Sequence, residues 1–126
     1  MDNAKIGQIV KAHYKSGTYI GEVMEDRGKN YLVKVLAVVK HPLQGDIHNY
    51  GQTEDVFFHQ RKALSYQEKM NVSKSAVHPF EEEIPSYIDS LKEAVEVLEN
   101  KLLKQESKFN QQALANLSQL KEQYFR

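Results

Sequence analysis

The sequence predicts a β-plus-α fold: a small SH3-like β-barrel over residues 1–80, followed by a C-terminal α-helical hairpin over residues 81–126. Three observations predict it. Up to Phe80 the apolar residues fall in short alternating runs, the period of a half-buried strand. Turn residues such as Lys15-Ser16-Gly17 and Arg27-Gly28-Lys29-Asn30 separate those runs. After Phe80 the apolar spacing changes to steps of three and four, the period of an amphipathic helix.

The first strand is expected over residues 6–14, with Val10, Ala12 and Tyr14 on one face and Lys11 and His13 on the other. Gly17 can supply a positive φ in the turn that follows. Thr18 to Asp26 reads as a second strand, in which Gly21 suggests a bend or a close backbone contact. Tyr31 to Lys40 is apolar on both faces, as expected of a central strand. His41 to Asp55 is a long polar loop containing Pro42, Gly45 and Gly51. Val56 to His59 is short and aromatic, and Lys62 to Glu68 reads as a further strand. Asn71 to Phe80 is expected to hold a tight turn, a turn of 3₁₀ helix at Ser73–Ala76 and a short last strand.

Ser86 and Asp89 then carry the S-x-x-D spacing of a helix cap. Ile84, Ile88, Leu91, Val95, Leu98 and Leu102 form one apolar stripe, and Phe109, Ala113, Leu117, Leu120 and Tyr124 form a second. The register could run straight through as one long helix. The polar stretch Lys104–Lys108, with Ser107 as a cap, leaves room for a turn, and the hairpin is the favoured expectation. A barrel of about 80 residues is near the size at which a core becomes marginal. The helices are therefore expected to pack on it.

Seventeen basic and seventeen acidic residues give no net charge, which argues against a general phosphate-backbone binder. The first 80 residues carry 11 basic and 8 acidic side chains, and the remainder carries 6 and 9. The absence of cysteine excludes disulfides and thiolate metal sites. With no apolar leader and no long apolar run, a cytoplasmic protein is expected, peripheral to the membrane at most through a partner.

Three chemistries were weighed against these residues. His41, Asp46, His48 and His59 cluster around the long loop, and imidazole and carboxylate are ligands that a zinc-like ion takes. Their spacing fits no metal motif, and loop capping or surface exposure explains them as well, so no metal or other cofactor is expected. No nucleophile elbow or glycine-rich phosphate cradle is present, so no enzyme is expected. Lys11, Lys34, Lys40, Arg61 and Lys62 could form a basic patch among the aromatics. A metal-dependent or nucleic-acid-binding barrel therefore stands as the alternative, although no nucleic acid is expected. The leading expectation is a protein-binding module. Its binding residues are expected at Phe57, Phe58 and His59, with Tyr19, Asp46 and His48, where aromatic anchors meet polar loop atoms. Homodimerisation through the helical stripe is a further expectation.

Four runs carry a family resemblance. Tyr14-Lys15-Ser16-Gly17-Thr18-Tyr19-Ile20-Gly21-Glu22, His41-Pro42-Leu43-Gln44-Gly45-Asp46-Ile47-His48 and Phe57-Phe58-His59-Gln60-Arg61-Lys62-Ala63-Leu64 are similar to segments of the kinase-associated protein B family of Bacillus-type bacteria. Glu83-Ile84-Pro85 opens the helical part as in that family. The resemblance implies an SH3-like barrel with C-terminal helices. It also implies a non-enzymatic accessory role to a membrane sensor histidine kinase, which feeds the phosphorelay controlling sporulation. The family is also named as a lipoprotein, a name from which this cysteine-free sequence departs.

Overall fold

A computed structural model describes residues 4–45 and 59–126. Five strands form one antiparallel sheet: β1 (Ile9–Tyr14), β2 (Gly17–Asp26), β3 (Asn30–Lys40), β4 (Lys69–Ser73) and β5 (Val77–Pro79), in the order β4-β3-β2-β1-β5. A 3₁₀ turn at Lys74–Ala76 links β4 to β5. Two helices follow, α1 (Tyr87–Leu103) and α2 (Lys108–Tyr124).

Local chemistry accounts for the hairpins. Tyr14 pairs with Gly17, so β1 and β2 are joined by the two residues Lys15 and Ser16. Both have positive φ, 45° and 65°, as a turn matched to the strand twist requires. Gly17 was expected to take that role and instead lies inside β2. It is glycine for another reason, since a Cβ there would sit 2.8 Å from the Tyr19 hydroxyl. The expected close contact at Gly21 is present, because a Cβ would meet Val33 Cγ1 at 2.5 Å and the Lys34 carbonyl oxygen at 2.6 Å. The β2–β3 register shifts beside it, between Ile20 and Gly21.

β3 is central, as its two apolar faces predict. Val33, Val35 and Ala37 are fully buried, and Val10, Ala12, Tyr19, Val23, Tyr31, Val38, Met70, Val72 and Val77 add the rest of the sheet's share of the core. Each large aliphatic side chain so buried contributes about 1.5–3 kcal/mol. The edges β4 and β5 share no ladder among the described residues, so the sheet is open and "barrel" describes it loosely.

Two expected strand boundaries need correction. Lys62–Glu68 is not a strand, and β4 lies later, at Lys69–Ser73, where a turn was expected. Met70 and Val72 are the inward-facing pair of that short strand. The displaced segment serves β3 differently. A turn at Ser65–Glu68 exchanges backbone bonds with Val35, from Gln67 N–H and to the Glu68 carbonyl. Further along, Ser90 on α1 accepts from Val38 N–H at 2.9 Å and donates to the Tyr87 carbonyl. The helix therefore covers an edge that a further strand would have paired.

The helices form the favoured hairpin. Ser86 and Ser107 cap α1 and α2, accepting from the amides of Asp89 and Asn110. Asn110 Nδ2 donates to the carbonyls of Leu102 and Gln105, which satisfies the end of α1 and fixes the turn. Leu91, Ala94, Val95, Leu98 and Leu102 bury one face of α1, and Ala113 and Leu117 of α2 join the same core as the sheet. Glu99 and Lys121 bridge the helices at 3.0 Å. Ile84 and Ile88, read as the start of the stripe, are 37% and 43% exposed, and Ile84 lies before α1 begins.

Candidate functional site

The stem of the long loop is built from a side chain that imitates a strand. Gln44 is buried; its Oε1 accepts from Arg61 N–H at 2.9 Å and its Nε2 donates to the Arg61 carbonyl at 2.8 Å. Gly45 N–H donates to the His59 carbonyl, and Arg61 Nε donates to the Gly45 carbonyl. Gln60 reaches α2, donating to the Asn116 carbonyl and to Gln119. The two ends of the loop are thus locked together and tied to the second helix.

Three tyrosine hydroxyls then take the backbone bonds that a neighbouring strand would have taken. Tyr124 accepts from Ala63 N–H at 2.8 Å, Tyr19 accepts from Leu64 N–H at 3.3 Å, and Tyr87 donates to the Leu64 carbonyl at 2.6 Å. This satisfies a partly buried segment that has no ladder. Burial pushes the hydroxyls of Tyr19 and Tyr87 up to about 12, and burial also raises that of Tyr124. All three stay protonated and able to hold these bonds.

The sequence-predicted site residues are only partly brought together. Asp46, His48, Phe57 and Phe58 lie outside the described residues. His59 is exposed at the loop stem. Tyr19 is not a surface anchor: it is 1% exposed and belongs to the core frame. His41, a candidate ligand, is 1% exposed, with Nδ1 at the Pro42 carbonyl and Nε2 at the Tyr124 hydroxyl, so both ring nitrogens are engaged. Burial lowers its pKa. Among the described residues no group of three or more His, Cys, Asp or Glu is placed to hold a metal ion.

A hollow of about 350 Å³ at the base of the loop is lined by Tyr14, Tyr19, Arg61 and Lys62, and a more apolar surface lies elsewhere. Leu36 of β3, Tyr66 of the Ser65–Glu68 turn, and Ile84, Pro85, Tyr87 and Ile88 at the start of α1 line an open groove of about 460 Å³. Tyr66 is 54% exposed and its ring lies 5.9 Å from that of Tyr87. Tyr87 fixes the floor through its bond to Leu64. Apolar side chains of this size, gathered in a concave surface and left in water, mark an interaction site rather than scattered exposure. Sequence reasoning placed Ile84 and Ile88 in the buried stripe. Their exposure is set by tertiary packing, which no periodicity reports.

Comparison with known proteins gives three concordant results. Residues 14–125 match the family model described as "Kinase associated protein B". The chain is 44% identical over 125 residues to "Kinase-associated lipoprotein B" of Bacillus subtilis (strain 168), covering 99% of this chain and 98% of that protein. It superposes on the crystal structure of kinase-associated protein B from Bacillus cereus with a TM-score of 0.82 and 40% identity, covering 96% of this chain and 97% of that one. The B. subtilis protein's name as a lipoprotein overturns the expectation of a cytoplasmic location. That expectation rested on apolar patterning along the sequence, which does not fix where a protein resides. Among the described residues no helix is long and apolar enough to cross a membrane.

Proposed function

The chain belongs to the kinase-associated protein B family, and from that premise we propose that it is an accessory protein that binds a kinase and carries no catalytic chemistry of its own. In the finer reading the kinase is a sensor histidine kinase that feeds the sporulation phosphorelay. The observation that carries binding is the open apolar groove at Leu36, Tyr66, Ile84 and Ile88. The relatives' names support the kinase as its partner. The absence of catalysis is supported by the use made of the buried titratable groups. Tyr19, Tyr87 and Tyr124 satisfy backbone, and His41 is held between a carbonyl and a hydroxyl.

The test is reconstitution with a purified sensor histidine kinase and its phosphorelay acceptor. A direct complex and an altered rate of kinase autophosphorylation are expected, with no nucleotide hydrolysis by the chain alone and no phosphoryl group transferred to it. Absence of binding overturns the accessory reading, and phosphoryl transfer onto the chain overturns the non-enzymatic one.

A further inference from the structure

Carboxylates flank the groove residues along the chain. Glu81, Glu82 and Glu83 are exposed and run directly into Ile84. Asp89, also exposed, follows Ile88. Glu68 is not part of this set, since it lines a separate hollow with Lys15, Arg61 and Lys62. Among the residues lining the groove and their immediate chain neighbours there is no lysine or arginine. Lys34, two residues before Leu36 on β3, sits 3.7 Å from Glu22. The groove residues are therefore flanked along the chain by carboxylates; the first cation on α1, Lys92, stands one turn beyond Ile88 with its Nζ 5.8 Å from the Phe125 ring centroid.

Resting on the accessory reading above, we infer that the groove receives an amphipathic segment of the partner protein, whose apolar side chains fill the slot between Tyr66, Ile84 and Ile88 while flanking lysines or arginines face Glu81–Glu83 and Asp89. Charge complementarity selects this occupant over two others. A second copy of the chain seated on this face would offer the same carboxylate-flanked surface and no added cation to meet Glu81–Glu83. An anionic bilayer surface would meet the same carboxylates and be repelled. A volume of about 460 Å³ suits one or two apolar anchors rather than a whole domain face. The carboxylates speed encounter and set orientation, and the apolar anchors hold the complex.

The probe is a fluorescent amphipathic peptide of leucine and lysine, compared with the same peptide bearing glutamate at every lysine. Binding is followed by anisotropy and mapped by amide chemical shifts on the full chain. The lysine peptide should bind, weaken as salt rises, and perturb the amides around Leu36, Tyr66, Ile84 and Ile88. Ile88→Asp should reduce its affinity by about tenfold or more, and the triple change E81Q/E82Q/E83Q should remove most of the salt dependence. All of these side chains are exposed, so the variants should melt as the parent does. Tyr66→Ala serves as a second groove variant if Ile88→Asp unfolds. Equal binding of the glutamate peptide, no binding of either, or shifts confined to another face overturns the inference. Failure here is separable from failure of the accessory reading. A kinase complex unaffected by the groove variants sinks only this inference, whereas groove-specific peptide binding without a kinase complex sinks only the accessory reading.

Discussion

The hydroxyl of Tyr124 stands 2.9 Å from Nε2 of His41 and 2.8 Å from the amide nitrogen of Ala63. The roles follow by elimination. The Pro42 carbonyl can only accept, so His41 Nδ1, 2.9 Å away, carries the proton. Neutral Nε2 then accepts from the Tyr124 hydroxyl, and that oxygen accepts from Ala63 N–H. One side chain near the end of α2 thereby joins the end of β3 to the segment after the long loop.

Tyr124→Phe removes this junction and leaves the packing largely intact. His41 Nε2 and Ala63 N–H lose their partners, so a loss of about 1–3 kcal/mol is expected. Urea unfolding of parent and variant measures it. A change below about 0.5 kcal/mol, the size of an ordinary surface substitution, would mean the junction does not hold the segment.

The same geometry sets a pH dependence. Burial lowers the pKa of His41 in the folded protein, while the unfolded chain titrates near the ordinary value of about 6.5. As pH falls through that value the unfolded state takes up a proton that the folded state refuses. The stabilisation is thus complete above about 6.5 and is lost as pH falls below it, with a slope of at most about 1.4 kcal/mol per pH unit until the folded pKa is reached. Unfolding free energies from about pH 7 down to about pH 5 should show a shallower slope for His41→Gln than for the parent. Identical slopes would assign the dependence to other groups.

What was legible in the sequence is what periodicity and caps encode. β1 to β3 follow from alternation, and the hairpin follows from Ser86, Ser107 and the spacing of Leu91, Val95, Leu98, Phe109, Ala113 and Leu117. The segment after the loop was misread for a physical reason. Leu64 and Tyr66 alternate like strand residues, yet the backbone of Ala63 and Leu64 is partnered by the hydroxyls of Tyr124, Tyr19 and Tyr87, two of them from helices up to 61 positions away. No local pattern carries such long-range side-chain bonds. The role of Gln44 was hidden for the same reason, since a buried amide paired with one backbone residue looks like any loop glutamine. The groove brings Leu36, Tyr66 and residues 84–88 together, which is a tertiary fact.

Gln44 gives a prediction that separates shape from hydrogen bonding. Gln44→Leu keeps much of the buried volume but leaves the amide and carbonyl of Arg61 without the partners they now have. A loss of about 1–3 kcal/mol is expected. Gln44→Glu should be worse at neutral pH. Its carboxylate still accepts from Arg61 N–H, but the other oxygen faces the carbonyls of Pro42 and Arg61, which can give it nothing. Glu at this position should therefore regain stability as pH falls and the carboxyl protonates, opposite in sign to the effect of His41. Thermal melts across the acid range distinguish the two. If Glu is tolerated as well as Gln at neutral pH, the amide does not act as the strand mimic.

Gly21 gives the most severe expectation in the sheet. Replacing glycine with alanine commonly stabilises by about 0.4–1 kcal/mol, because it restricts the unfolded chain. At Gly21 the added methyl would lie 2.6 Å from the Lys34 carbonyl oxygen and 2.5 Å from Val33 Cγ1. The first is backbone in the central strand and the second belongs to a fully buried side chain, so neither can move aside cheaply. Gly21→Ala should destabilise by about 1–3 kcal/mol, the range for overpacking a filled core. Gly28→Ala is the control. Its site is open, but a φ of +82° imposes local strain, and a smaller loss of about 1 kcal/mol is expected. Chemical unfolding of the two variants ranks them directly. A Gly21→Ala chain as stable as Gly28→Ala would show that β2 can shift away from β3, and that the bulge beside Gly21 is a flexible joint rather than a fixed contact.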